Sequence, residues 1–308
     1  MDDFSHIPVL LNEVLEGLAL RPDGIYFDGT AGGAGHSSEI AKRLCGGELI
    51  ACDQDPDAVA AASRRLASYP ARVFRANFRE AERVLDEAGV PAVDGALLDL
   101  GVSSHQLDVR ERGFSYREDA PLDMRMSQSG PTAADLLRDL SVQELTDILR
   151  RYGEEKNAYY IAKKIVARRE AAPLSTTGEL AAVVTSALPP AVRRKEKNPA
   201  RKTFQALRIA VNDEMGALED GLEAVFRRLA PGGRFCIITF HSIEDRIVKQ
   251  KFREWCTACT CPPDLPVCIC GGVAKAKAIT RKPIRAGEEE LEHNHRSRSA
   301  SLRIIEKL

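Results

Sequence analysis

The sequence predicts an α/β fold: a mostly parallel, doubly wound sheet with an all-helical domain inserted into it. Three observations carry this. Short apolar runs alternate with helix-length segments over the first hundred residues, and most of these runs end in an acid. The rhythm stops after Gly101, and several polar helices follow without a convincing strand. It resumes near Thr203 with a long helix, a Pro-Gly-Gly turn and a β-branched strand. Strands separated by single helices form βαβ units, whose sheets are parallel and covered on both faces.

Taken in order, Ile25-Tyr26-Phe27-Asp28 is the first strand, and His36 to Leu44 is a helix stopped by Gly46-Gly47. Leu49 to Cys52 is a second strand ending at Asp53, followed by an Ala/Arg-rich helix from Asp57 to Ser68. Arg72 to Arg75, Arg79 to Ala88 and Gly95 to Leu98 supply a third strand, a third helix and a fourth strand ending at Asp99. Helices are then expected over Thr132–Asp139, Ser141–Arg151, Asn157–Arg169 and Thr177–Leu188. Ser141 with Glu144 forms a capping-box start, and Pro189-Pro190 a stop. Thr203 to Leu229 reads as one long helix and Arg234 to Thr239 as the fifth strand. The expected domains are therefore 1–106 with 205–308, and an inserted helical domain over 107–204.

A chain of 308 residues with 44% hydrophobic residues suits one domain with a large insertion, or two domains. The formal net charge of −1 neither suggests nor excludes a polyanionic partner, so local charge must decide. The amino-terminal segment lacks the pattern of a secretory signal, and no apolar run approaches the roughly 20 residues that span a bilayer. The expectation is a cytoplasmic protein, whose eight cysteines are thiols or metal ligands rather than disulfides.

The first strand runs into Asp28-Gly29-Thr30-Ala31-Gly32-Gly33-Ala34-Gly35-His36. Glycines allow a sharp turn and close approach of a ligand, and the helix that follows presents free N–H groups. Dinucleotide-binding folds use a similar loop, so the loop alone leaves two cofactors open. The other strand ends narrow this. Asp53 lies where a carboxylate takes ribose hydroxyls, Asn77-Phe78 follows strand three and offers a ring to an adenine, and Asp99 faces the cofactor's reactive end. Acids after strands one, two and four, with an aromatic after three, fit a Rossmann-like class I methyltransferase better than a dehydrogenase.

At Leu98-Asp99-Leu100-Gly101-Val102-Ser103-Ser104-His105-Gln106-Leu107-Asp108 the chain resembles a specific family, the bacterial small-subunit ribosomal RNA cytosine-N4 methyltransferases (ribosomal RNA methyltransferase H). The likeness extends through HIPVLLNEVLEGL (6–18), DGTAGGAGHS (28–37), DQDPDA (53–58), RGFSYREDAPLDMRM (112–126), YGEE (152–155), TFQALRIAVNDE (203–214), LAPGGR (229–234), FHSIEDRIVK (240–249) and RSRSASLR (296–303). The resemblance implies S-adenosylmethionine as cofactor, contacted by Ala34, Gly35, His36, Asp53, Phe78, Asp99 and Gln106. Of these, Ala34, His36 and Gln106 rest on the resemblance alone. It also implies small-subunit ribosomal RNA, or the small subunit, as partner. His105, Ala120 and Ala34 depart from the family, which has proline at the first of these positions and glycine at the other two. The departures put local loop conformation in doubt.

A cytosine amine is a poor nucleophile, because its lone pair is delocalised into the ring. Catalysis then rests on alignment and on acceptors for the amine hydrogens. Asp99 is the expected orienting group. His241, just past strand five, is the second catalytic candidate as a proton acceptor, against the plainer reading of a helix-terminal histidine satisfied by Glu244 or Asp245. The target base must be unpaired or flipped out. Arg193 to Lys202 holds six Lys/Arg among ten residues, and Arg168-Arg169 and Arg296 with Arg298 add more charge. These read as phosphate contacts or as a solvated face. Cys256, Cys259, Cys261, Cys268 and Cys270 have spacing compatible with a small structural zinc loop or with unliganded thiols. Rival functions are a DNA or protein methyltransferase on this fold, and an RNA-binding assembly factor without catalysis.

Overall fold

The structure is a computed structural model and describes residues 8–195, 197–259, 261 and 271–308. Two compact units result: one takes the chain up to Gly101 and again from Gly216 to Leu308, the other is Val102–Met215.

The first unit opens with α1 (Leu11–Leu18), β1 (Ile25–Asp28), α2 (Gly35–Ala41), β2 (Glu48–Asp53), α3 (Pro56–Leu66), β3 (Ala71–Arg75), α4 (Ala81–Glu87) and β4 (Val93–Asp99). The second unit is helical, with α5 (Ser104–Asp108), α6 (Ala133–Asp139), α7 (Val142–Gly153), α8 (Ala158–Ala171), α9 (Thr177–Ala187), α10 (Pro190–Lys195) and α11 (Arg201–Asn212). The first unit resumes within α12 (Glu214–Arg228) and continues through β5 (Leu229–Thr239), α13 (Ser242–Cys256), β6 (Ala276–Ala278), α14 (Glu288–His293) and β7 (Ser301–Lys307).

The seven strands form one sheet in the order β3-β2-β1-β4-β5-β7-β6. Pairings among β1 to β5 are parallel, whereas β7 runs antiparallel to both β5 and β6. The dinucleotide-binding order 3-2-1-4-5-6 has no such reversed strand, so the topology itself separates this sheet from a dehydrogenase's. Alternate side chains of each strand go to opposite faces. Phe27, Leu98 and Ile237 enter a core with α4, α12 and α13, while Tyr26, Leu97 and Ile238 enter a second core with α1, α2 and α3. The sheet is doubly wound, as expected.

The second unit has a core of its own, built on Phe114, Leu145, Leu149, Ile161, Phe204 and Leu207. Ser141 and Glu144 close the expected capping box of α7, and Thr132 and Thr176 cap α6 and α9 in the same way.

Three expectations change, the first being that the strand expected from Arg234 starts at Leu229 and takes in the Pro-Gly-Gly turn. The long helix from Thr203 to Leu229 is two helices, because Asp213 adopts a left-handed conformation (φ 47°, ψ 43°) that ends α11. Aspartate tolerates that region better than most residues. Strands β6 and β7 were absent from the reading of the sequence. The former has three residues, and the latter carries charges whose partners are remote: Arg303 grips Asp245 of α13 with two bonds of 2.8 and 2.9 Å, and Glu306 meets Arg234 at 3.3 Å.

Candidate active site

Four neighbouring strands, β2, β1, β4 and β5, end side by side and deliver Asp53, Asp28, Asp99 and the start of α13 to one edge of the sheet. That edge is where open α/β sheets bind ligands.

Asp28 is buried and organises the loop beyond it. It accepts from Thr30 N at 3.0 Å and from Ser37 Oγ at 2.5 Å, which ties the loop's start to α2. Burial raises its pKa, against the pull of the Ser37 and Thr30 bonds. Thr30 continues the chain of bonds, because its Oγ1 accepts from Asp99 N at 2.6 Å. Asp53 reaches across with both oxygens: one accepts from Gly32 N at 2.8 Å, the other from Asp55 N at 2.9 Å. Each oxygen retains a lone pair for a ligand. Burial pushes the Asp53 carboxyl up to about 6, although these two N–H groups favour its charged form.

Ala34 answers the question its substitution raised. It sits at φ 58°, ψ 35°, a backbone conformation that favours glycine, at the entry to α2. Alanine therefore keeps the glycine-like turn and bears the cost. Gly35, next to it, has no room for a side chain: a Cβ there would lie 2.7 Å from Cγ of Pro8. Ala120, the other departure from glycine, has no positive φ, and its N–H donates to Thr177 Oγ1 at 3.1 Å.

His36 is buried, and its Nε2 lies 2.9 Å from the carbonyl of Val9. A carbonyl only accepts, so Nε2 carries the proton. Burial lowers the ring's pKa to about 4, with the Val9 bond opposing. At neutral pH the ring is uncharged, and its Nδ1 lone pair faces Asp99 Oδ2 at 3.6 Å, too long for a hydrogen bond. The other oxygen of Asp99, Oδ1, is buried with no hydrogen-bond partner among the described residues. Burial first, then the charges of Asp28 and Glu244, push the Asp99 carboxyl up to about 8. A buried acceptor left empty beside a bare imidazole nitrogen is a ready receptor for N–H donors.

His241 is the N-cap of α13. Its Nδ1 accepts from Glu244 N at 3.4 Å, and its Nε2 lies 3.0 Å from Glu244 Oε1. Glu244 in return accepts from the backbone N–H groups of Phe240 and His241 at 2.9 and 3.2 Å. Glu244 N thus satisfies Nδ1 as a helix cap, while Nε2, close to Oε1 but outside hydrogen-bonding geometry, is buried with no partner among the described residues and keeps the proton-acceptor role open. Phe78 follows β3 in a 3₁₀ turn capped by Asn77, half-buried, with its ring edge against Gly221 of α12. Gln106 belongs to the second unit, where it is buried and closes a capping box with Ser103 at the start of α5. The linkage through Thr30 and Ser37 was not singled out in the sequence. A Ser or Thr two to nine residues after a strand-end acid was the only available signal.

Other expected residues fall elsewhere. Arg169 Nη1 donates to the carbonyls of Leu137 and Leu140 at 2.5 and 2.6 Å, and Arg168 to Ala172 O at 2.6 Å and Glu179 at 3.5 Å. This pair closes helix ends rather than presenting free charge. Cys256 ends α13, Cys259 is exposed and Cys261 is partly buried; Cys268 and Cys270 lie outside the described residues. Among the described residues no group of three His, Cys, Asp or Glu is placed to hold a metal, and no helix is long and apolar enough to cross a membrane.

The profile of the MraW methylase family matches residues 3–308. Three relatives carry the name ribosomal RNA small subunit methyltransferase H. Those from Symbiobacterium thermophilum, Heliobacterium modesticaldum and a Paenibacillus species are 54%, 55% and 56% identical. Each alignment covers 99% of this chain and 97%, 99% and 100% of the respective relative.

Proposed function

That the chain belongs to the MraW methylase family is the premise from which we propose its reaction: transfer of a methyl group from S-adenosylmethionine to the N4 amine of a cytidine in small-subunit ribosomal RNA. The chain is a methyltransferase; the cofactor, the base and the acceptor atom are the finer reading. The observation that carries it is Oδ1 of Asp99 at the end of β4, partnerless among the described residues.

The sheet edge fits the cofactor in its open acceptors and its shape. Asp53 and Asp99 present carboxyl oxygens with open lone pairs, Asp28 fixes the loop through Thr30 and Ser37, and Gly35 lets the backbone close against Pro8 with no side chain between. When bound, the cofactor supplies an electrophilic methyl group. In this reading Asp53 offers its remaining lone pairs to ribose hydroxyls, and Phe78 lies along the adenine. The Ala34-Gly35-His36 turn faces the methionyl part, and Gln106 remains a cofactor contact implied by the resemblance alone.

Asp99 then works on the base. Its Oδ1 accepts an N–H of the amine, which holds the nitrogen in line and stabilises hydrogens that become more acidic as that nitrogen turns tetrahedral. His36, fixed in one tautomer by Val9, keeps a lone pair toward Asp99 and so biases where the carboxyl proton resides. His241 serves here as the cap that sets the entry of α13, with proton acceptance as the competing role tested below.

The test is incubation of the full chain with methyl-labelled cofactor and small subunits, naked small-subunit RNA or DNA, followed by nucleoside mass spectrometry. N4-methylcytidine in RNA or subunits is expected, reduced at least about 100-fold in Asp99→Ala. Label in DNA alone, or on another nucleoside, overturns the reading. A wild-type chain that binds RNA without methylating it would make it an assembly factor.

A further inference from the structure

Among the described residues, the exposed large hydrophobic side chains are Tyr159, Tyr160, Val273 and Leu308, with 46% of Tyr159 and 63% of Tyr160 in solvent. Two of the four are therefore consecutive rings on one helix, α8. Their centroids lie 5.8 Å apart and their planes cross at 70°, an edge-on pair that is about half in solvent. The buried side of α8 is fully accounted for by Ala158, Ile161, Ala162 and Ile165, which gives the tyrosines no part in the core. Nor does helix propensity ask for them: alanine, lysine or glutamate would hold an exposed helical position better by a few tenths of a kcal/mol.

The exposed charges nearest them from Lys156 to Lys164 are all cationic, and the nearest exposed acid along the chain is Glu154, ahead of Lys156. Lys156, Lys163 and Lys164 are exposed, and none of their side chains has an ion pair or hydrogen bond with a described residue. Lys163 and Lys164 stand four residues beyond Tyr159 and Tyr160, on the same side of the helix, and Lys156 lies one turn before. The basic run adjoins this surface. Lys202 Nζ donates to Glu154 O at 3.4 Å and Gln205 Nε2 to Tyr152 O at 3.1 Å, which brings the start of α11 to the corner where α7 gives way to α8. Arg193, Arg194, Lys195, Lys197 and Arg201 of that run are exposed and make no ion pair with a described residue.

Half-exposed rings among unneutralised cations match one chemistry: stacked bases carried on a phosphate backbone. An acidic protein segment would satisfy the lysines but leave the rings idle. An apolar partner would cover the rings but bury the lysines at a cost. We propose that the exposed face of α8, built on Tyr159, Tyr160, Lys163 and Lys164 with Lys156 in the turn before it, is a stacking platform for unpaired nucleotides of the RNA substrate. It would hold the strand at a place other than the reacting base. The proposal rests on the reading that the substrate is RNA.

The experiment measures binding of a fluorescently labelled single-stranded RNA oligonucleotide to the full chain by anisotropy at fixed salt, with steady-state methylation of naked small-subunit RNA alongside. Tyr159→Ala/Tyr160→Ala should weaken binding by roughly 10-fold per ring and raise KM with kcat unchanged. Tyr159→Phe/Tyr160→Phe should stay within about 2-fold of wild type, since the stacking face survives. Lys163→Ala/Lys164→Ala should lower the slope of log affinity against log salt by about 0.7 per lysine. Affinity for S-adenosylmethionine and melting temperature should not move in any of the three. An alanine pair that binds RNA as wild type does, while wild type binds and methylates RNA, overturns the platform alone. A wild-type chain that neither binds nor methylates RNA overturns the platform and the proposed function together.

Discussion

Ala34 holds a left-handed backbone at the entry to α2 while its methyl group is buried among Val9, Leu10 and Ile40. The conformation costs about 1–2 kcal/mol for a residue with a Cβ, and the buried methyl returns about 0.8. Ala34→Gly should therefore leave denaturant stability within about 1 kcal/mol of wild type, whereas Ala34→Val, β-branched and larger, should lose more than ~2 kcal/mol. Asp99 gives the second prediction at this scale. Its carboxyl titrates near 4 when unfolded and at about 8 in the fold, because burial disfavours its charge. The folded state thus holds a proton that the unfolded chain has released. This group's contribution is complete below pH 4 and is lost as pH rises through 8. Since 26% of the side chain is exposed, solvent screening limits the effect to about 1–2 kcal/mol. Melting curves of the cofactor-free protein should show Asp99→Asn equal to wild type near pH 4 and more stable near pH 9. A gap that does not change with pH would show that Asp99 is ordinary. Much of this site was legible, since acids at strand ends are printed in the sequence. What was not legible is which oxygen stays empty. That depends on Thr30 and Ser37 occupying Asp28, on Gly32 and Asp55 occupying Asp53, and on no described residue occupying Oδ1 of Asp99.

Secondary-structure elements decide what His241 does. As N-cap of α13 it satisfies one orphan N–H, worth about 1 kcal/mol. His241→Ala should lose that amount, and His241→Asn, a good cap with no basic nitrogen, should recover it. The turnover of the Asn variant separates the roles. Wild-type kcat means the residue positions a helix, whereas kcat as low as in the Ala variant means the imidazole takes a proton. Boundaries of α2 to α4, of α6 to α9 and of β1 to β4 were readable to within a few residues, because caps and prolines mark them locally, whereas no boundaries were read for α1 and α13. The break at Asp213 and the two last strands were not. A single aspartate gives no notice of a positive φ, and β7 is apolar toward neighbours that come from far along the chain, with its arginine and glutamate neutralised by Asp245 and Arg234.

For the molecule as a whole, a net charge of −1 conceals an uneven distribution. The first unit gathers Asp28, Asp53 and Asp99 at one edge, while exposed cations collect along 193–202 of the second. RNA affinity should therefore follow the local cations and not the total. Replacing Arg193, Arg194, Lys195, Lys197 and Arg201 by glutamine should lower the slope of log affinity against log salt by about 3.5 for single-stranded RNA, with cofactor affinity unchanged in calorimetry. An unaltered slope would return the run to the status of a solvated face. The division into units also has a consequence in time. β5 begins at Leu229, roughly 130 residues after β4 ends at Asp99, yet the two strands are neighbours in the sheet. At about 5–20 residues per second of synthesis, the nascent chain carries the open flank of β4 for roughly 7–26 seconds before its partner emerges. The helical unit, with its own core, is finished within that interval. During translation the apolar border of Ala96, Leu97 and Leu98 is thus the segment that a chaperone must shield, and slowing the ribosome between codons 102 and 215 should lower soluble yield more than slowing it after codon 240.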